Sequence, residues 1–300
     1  MFGRPKPQPK IAPLQELVGQ SLGPYHLDSI IATGHTGMVF RATDSKKNKV
    51  VAVKVLTPDP AHQDEQRERF VRAMKTMLDV RHPNIVQLRA AGKSGPYCWA
   101  AMEFIDGENL ADVIQRIGIE GMLDWREAWR VAVHVARGLE EANRRGFIHR
   151  NLTPTNILRR RADKVCLVGD LMLAKALEGT LASQVTKPGQ LIGDVPYMAP
   201  ERTREVGGVD GRSDLYGLGA TLDALLTARP LFESDSLPQL VHMVREEMPQ
   251  RPRDFQMSII ELFEDAVLRL IAKDPVERFQ SATHLLQELD RIGTYSNLQL

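Results

Sequence analysis

The feature that most limits how this chain can fold is a change of hydrophobic period near residue 107. From Tyr25 to about Phe104 the apolar residues come in short, β-branched runs: "LDSIIATG", "MVFRATD", "KVVAVKVL", "IVQLRAAG" and "CWAAMEF". Such runs are the pattern of half-buried strands. One helical stretch interrupts them, from about Asp64 to Asp79, where Phe70, Ala73, Met74 and Met77 recur at helical spacing before Pro83. After "DGENL" the period becomes helical, over Trp125 to Arg145, Asp214 to Thr227, Leu237 to Glu247, Ser258 to Ala272 and Ser281 to Ile292.

Strands followed by helices predict an α+β fold of two lobes, joined near Glu103 to Gly107, with a cleft expected at the join. The expected division is a Pro- and Lys-containing tail over 1–20, a strand-rich lobe over 21–107, a helical lobe over 108–292 and a short tail over 293–300. The 43% hydrophobic content over 300 residues is enough for two cores. Lys plus Arg number 39 against 38 acidic residues, so charge gives no case for a nucleic-acid or acidic-membrane partner. No apolar run reaches the roughly 18 residues of a membrane span, and no signal-peptide segment precedes the lobes, so a cytoplasmic setting is expected. Cys98 and Cys166 lie far apart and fit buried free thiols.

Gly34 and Gly37 fall between two strands, where glycines let backbone N–H groups approach phosphate oxygens. An ordinary glycine hairpin fits the same residues, and a dinucleotide fingerprint does not, because a strand follows where that motif needs a helix. Lys54 adds weight. It lies 17 residues after Gly37 in the apolar run "VAVKVL", and a strand lysine facing a cleft meets phosphate as a point charge.

The blocks "GFIHRNLTPTNIL", "VCLVGDLMLAK" and "GDVPYMAPE", followed by "GRSDLYGLGATLDALLTARPLF" and "LIAKDPVERFQSA", resemble the protein kinase family. The likeness is to its Ser/Thr members, the bacterial ones especially, over about residues 22–291. The resemblance implies ATP and Mg2+ as cofactors. Gly34 and Gly37 would cover the phosphates, with Ala32 at the first glycine of that loop, and Lys54 would contact the α- and β-phosphates. Val39, Ala52 and Leu158 would sandwich the adenine, with Met102 as gatekeeper and the backbone of Glu103 and Ile105 on the adenine edge. Asn156 and Asp170 would hold magnesium. Asp214 and the Glu201–Arg278 pair match residues that brace the helical lobe.

Against that pattern, Asn151 replaces the aspartate that accepts the substrate hydroxyl proton, and an amide is no carboxylate base. Thr153 replaces the lysine that neutralises the moving phosphoryl group, and Asp194 replaces a threonine. Ala73 stands where the family has a glutamate that pairs the strand lysine, and Glu65 and Glu68 lie eight and five residues too early to substitute. Asp170 or a bound phosphate then becomes the expected counter-ion of Lys54. Met172 replaces the glycine of the metal-binding turn, which restricts its backbone.

The changes strike the transfer chemistry and leave the fold residues and metal ligands, so the expected function is a nucleotide-binding pseudokinase, a regulatory or scaffolding module for protein partners. The alternatives are an active or weakly active Ser/Thr kinase, with Asp194 as compensating carboxylate, and a scaffold that binds no nucleotide. The partners and the oligomeric state stay open.

Overall fold

The computed structural model describes residues 12–34, 36–58, 63–171, 194–204 and 208–300. They form two compact units: the chain up to Val80 with Gln87–Phe104, and Arg81–Val86 with the chain from Ile105. The division thus falls after Phe104, a few residues before the expected 107, and the short segment after the first helix belongs to the second unit.

The first unit is an antiparallel sheet in the order β1-β2-β3-β4-β6-β5. Its strands are β1 (Ser21–Leu22), β2 (Tyr25–Gly34), β3 (Gly37–Asp44), β4 (Lys49–Leu56), β5 (Leu88–Ser94) and β6 (Tyr97–Glu103). Helix α1 (Gln63–Met77) packs on it through Phe70, Ala73, Met74 and Met77, the residues whose spacing predicted it. The tail expected over 1–20 is corrected for its described part. Leu14–Leu17 form a 3-10 turn, Leu17 is buried in the sheet's core, and the Tyr97 hydroxyl donates to the Ala12 carbonyl at 2.9 Å. Leu14 and Leu17, three apart, share one face, and that face has an apolar surface to cover.

The second unit holds a small sheet, β7 (Gly107–Asn109), β8 (Ile157–Arg160) and β9 (Cys166–Val168), and six helices among the described residues. These are α2 (Leu110–Glu120), α3 (Trp125–Arg144), α4 (Gly211–Thr227), α5 (Leu237–Glu246), α6 (Glu261–Leu270) and α7 (Ala282–Tyr295). Helix α2 is not among those expected. Its signal is in the sequence, however: Leu110, Val113, Ile114 and Ile117 form one buried stripe, and Asn109 caps it by accepting the Asp112 N–H at 3.0 Å. The short tail expected over 293–300 is also partly ordered. Gly293 continues α7 against Trp129, where a methyl group would come within 2.6 Å of the ring, and Leu298 packs on the core. Both cysteines are buried, and neither is in a disulfide. No helix of the described residues is long and apolar enough to cross a membrane.

Helix α4 is buried along nearly its whole length, so its polar side chains need internal partners. Beside it, Glu201 and Arg278 form a forked pair with both N–H···O distances at 2.8 Å, and Ser213 donates to Glu201 at 2.6 Å. The remaining guanidinium donors reach the carbonyls of Ala272, Arg212 and Lys273. Burial pushes the Glu201 carboxyl up, but Arg278 and Ser213 together hold it below the usual range. Arg278→Ala should therefore cost about 3–5 kcal/mol, the range for leaving a buried charge without its partner. Urea unfolding measures this, and a change below about 0.5 kcal/mol, the range of surface substitutions, contradicts it.

Asp223, also on α4, is 3% exposed, and its Oδ2 has no hydrogen-bond partner among the described residues. Burial pushes its carboxyl up to about 7. An unfolded Asp titrates near 4, so the folded chain retains a proton that the unfolded chain releases between those values. Stability from this group is complete below about pH 4 and is lost as pH rises through about 7. Asp223→Asn should flatten that decline in a pH series of unfolding midpoints, and an unaltered slope refutes the assignment.

Candidate functional site

In the first unit, Gly34 and Gly37 face each other across the β2–β3 turn, and Ala32 faces Val39. A methyl group on Gly37 would lie 2.0 Å from the Val55 carbonyl oxygen, so the turn closes onto β4 only with glycine there. Gly34 is exposed, and a methyl group on it would meet only the Gly37 carbonyl at 3.9 Å. On β4, Lys54 is 5% exposed, opposite Val39 on one side and Ala100 on the other. Ala52 lies opposite Met102, and both are buried. Glu103 is tied to Gln87 twice, its N–H donating to the Gln87 carbonyl at 3.0 Å and its carboxylate accepting the Gln87 N–H at 2.8 Å. Ala73 is 1% exposed on the inward face of α1, and Glu68 on the same helix is exposed.

In the second unit the loop from His149 to Asn156 is held from below by α4. Asp214 is 1% exposed and accepts the N–H groups of His149 and Arg150, each at 2.7 Å. Burial pushes its carboxyl up against the opposing pull of His149, the two N–H donors and Arg202. Gly217 lets the helix touch the loop, since a methyl group there would lie 2.4 Å from the Leu152 carbonyl. Arg150 has φ of 62°, a left-handed conformation that costs a non-glycine residue of order 1 kcal/mol or more, and the grip of Asp214 on its N–H offsets that strain.

The His149 ring completes the frame. Its Nδ1 accepts the Asn151 N–H at 3.3 Å, so Nε2–H donates to the Gly169 carbonyl at 2.7 Å. Asn156 donates from Nδ2 to the Asn151 carbonyl at 2.8 Å, and its own carbonyl accepts the Gly169 N–H at 2.8 Å. Asp170 follows in a left-handed conformation, φ 53°. Asn151, Asn156 and the turn at Asp170 are therefore one hydrogen-bonded assembly. Thr153 is 2% exposed with its hydroxyl 2.8 Å from that of Thr155, so it faces inward where a lysine would extend. Leu158 is half-buried on β8, and Ile105 is half-buried at the start of this unit. Met172 lies outside the described residues.

Asp194 precedes a 3-10 turn, Val195–Tyr197, and its carbonyl accepts the Tyr197 N–H at 3.1 Å. Burial disfavours the charged form of Arg202, while Asp214, Asp194 and Glu201 favour it. Asp194 thus shares an electrostatic neighbourhood with the aspartate that anchors the loop. Of these residues, Arg202 carries no local signal in the sequence. The roles of His149 and Gly169 are legible only from their place beside Asn151 and Asp170.

The donor set fits a hard divalent cation. A bond from Asn156 Nδ2 leaves Oδ1 as the amide's ligand atom, and Asp170 adds a carboxylate; such ions take one or two protein oxygens and complete their shell with water and phosphate. No group of three or more His, Cys, Asp or Glu residues forms a self-contained metal site among the described residues.

The protein kinase domain family model matches residues 25–289, and the chain belongs to that family. It is 28% identical over 285 residues to a probable serine/threonine-protein kinase of Clostridium perfringens, covering 95% of this chain and 40% of that protein. It is 31% identical over 272 residues to the serine/threonine-protein kinase PknB of Mycolicibacterium smegmatis, covering 89% and 43%. The chain therefore spans about two-fifths of the length of the curated relatives it matches. Among solved structures, the kinase domain of Mycobacterium tuberculosis PknI superposes with a TM-score of 0.70 at 24% identity, over 91% of this chain and 98% of that one. Rad53 in complex with AMP-PNP gives a TM-score of 0.71 at 22% identity, over 88% and 64%. These likenesses establish the bilobal kinase fold, with its strand-rich and helical lobes.

The grip of Asp214 on the loop predicts the cost of losing it. Asp214→Ala strands the buried N–H of His149, at about 1–3 kcal/mol, and the half-buried N–H of Arg150, whereas Asp214→Asn keeps one acceptor and should cost distinctly less. Equal losses for the two variants, measured by urea unfolding, would mean that the hydrogen bonds are not what the site depends on.

Proposed function

We propose that this chain is a nucleotide-binding pseudokinase domain, a regulatory or scaffolding module that takes up ATP with Mg2+ and presents its surfaces to protein partners. The observation that carries the reading is the Asn151–Asn156–Asp170 assembly. Its metal-ligand positions keep oxygen donors in a supported frame, while the position of the proton acceptor holds an amide. Lys54, Gly34 and Gly37 are the phosphate-binding residues of the proposal. Ala52, Val39, Met102 and Leu158 receive the base, with the backbone of Glu103 and Ile105 at its edge. When bound, Mg2+ neutralises phosphate charge.

The residues themselves limit transfer. General-base catalysis contributes roughly 10²- to 10⁴-fold, and Asn151 cannot take a proton. Thr153 is turned inward and brings no cation to the phosphoryl group. Ala73 supplies a buried methyl group where the family has a carboxylate. A second reading, an active Ser/Thr kinase with Asp194 as the base, draws support from the electrostatic neighbourhood that Asp194 shares with Asp214 around Arg202.

Two assays on one preparation test the proposal. Mg2+ and ATP should raise the melting temperature, because a ligand that binds only the folded state stabilises it by mass action, and Lys54→Ala should blunt the rise. Transfer to basic protein substrates should stay at the ATP-free background. The combination Asn151→Asp, Thr153→Lys, Asp194→Thr and Ala73→Glu should be the first variant with clear activity, since residues acting as a unit do not contribute additively. Robust wild-type transfer that Asp194→Asn abolishes would establish the second reading, and no thermal shift at millimolar nucleotide would leave a scaffold without nucleotide.

A further inference from the structure

Strand β8 alternates as a half-buried strand should, except in one respect. Ile157 and Arg159 face inward, at 0% and 7% exposed, and Leu158 and Arg160 between and after them are half-buried. An arginine therefore occupies an inward position that alternation assigns to an apolar side chain. Its guanidinium is shared by two carboxylates: Nη2 and Nε donate to Glu108 Oε1 at 2.8 and 3.3 Å, and Nη1 donates to Glu127 Oε2 on α3 at 3.2 Å. Glu108 is the direct cross-strand neighbour of Arg159 on β7. It also accepts a forked bond from Arg116 of α2 at 2.7 and 3.2 Å. Burial pushes the Glu108 carboxyl up, and the two arginines hold it below the usual range. One residue earlier, a methyl group on Gly107 would lie 2.1 Å from the Arg159 carbonyl oxygen, so the two backbones meet closely here.

We infer that Glu108 is a positioning residue: through Arg159 it fixes the register of β8, and with it the placement of Asn156 and Leu158. Strand β7 has three residues and β8 has four, so few ladder bonds specify how they align. A slip of one residue would turn Leu158 to the opposite face and displace Asn156, which immediately precedes the strand. An apolar residue at 159 would tolerate such a slip, because burial has no direction. A buried guanidinium with partners on β7 and α3 does not, because each donor must find its acceptor, and directional specificity is what a buried ion pair adds where its net stability is small. The network also reaches the metal-binding turn, since the Asn156 carbonyl accepts the Gly169 N–H. The consequence for nucleotide affinity rests on the nucleotide-binding reading, and the consequence for placement does not.

The test uses the full chain with Glu108→Ala, Arg159→Lys and the double variant Glu108→Leu with Arg159→Leu. Without nucleotide, amide exchange should rise roughly tenfold or more at residues 157–160 and at Gly169 in Glu108→Ala, with α7 amides unchanged, as expected of a local opening. Titrated with Mg2+ and ATP, the same variant should bind about 10- to 100-fold more weakly, the loss found when a group that orients a metal ligand is removed. Arg159→Lys keeps the charge but not the fork, and should show both effects at smaller size in a chain that folds. The double variant should regain the melting temperature without regaining affinity, because an apolar pair restores packing and not register. Unchanged exchange at β8 in Glu108→Ala, or affinity that returns with stability in the double variant, overturns the inference. Absence of nucleotide binding by the wild type sinks the functional reading instead, and the exchange data then decide the placement alone.

Discussion

A carboxylate buried at the start of α4 carries the geometry of the second unit. Asp214 takes the N–H groups of His149 and Arg150 at 2.7 Å each, holding Arg150 in a left-handed conformation. The ring of His149 then passes the restraint to Gly169, and Asn156 closes the circuit between Asn151 and Gly169. Five short hydrogen bonds thus connect one helix to a loop and a turn that are otherwise irregular. Irregular backbone stays in one conformation only where its polar groups are satisfied this fully. The positions of Asn156 and Asp170 depend on that circuit.

Much of this was legible in the sequence, and the reason differs by element. Period alone locates β2 to β6 of the first sheet, although β5 begins at Leu88 within its run and the two-residue β1 carries no such signal, and α3, expected over Trp125 to Arg145, ends within a residue of that bound. The ordered motifs locate the loop, the turn and the Glu201–Arg278 pair, because fixed spacing in one family maps onto fixed places in one fold. Helix α2 was legible from its stripe and its Asn109 cap, but its proximity to "DGENL" gives it the look of a connection. The packing of Leu14 and Leu17 was hidden by neighbouring prolines and lysines, whose composition says nothing about what two leucines can cover. The Glu108–Arg159 pair was beyond reach, since nothing local marks two charged residues 51 positions apart as cross-strand neighbours.

The substitutions gain meaning from where their side chains lie. Thr153 and Ala73 are small and buried. Asn151 keeps its backbone bonds to His149 and Asn156, so the frame tolerates an amide at that position. What has changed is chemistry and what persists is support. On the pseudokinase reading, proton acceptance and cation supply at positions 151 and 153 are lost, whereas the bonds that hold Asn156 and the turn at Gly169 are kept. On that reading, a chain kept only for its shape would have no physical need of the bonds that hold Asn156 and the turn before Asp170 together.

The most direct measurement is a calorimetric titration of a non-hydrolysable ATP analogue into the chain, in Mg2+ and again in EDTA, with Asn156→Leu as control. The account predicts binding that weakens at least about tenfold when the metal is removed, and a variant whose residual binding no longer responds to Mg2+. Equal affinity in Mg2+ and EDTA, or no binding in either, would contradict the claim that this assembly of Asn151, Asn156 and Asp170 is retained to hold a nucleotide-bound metal.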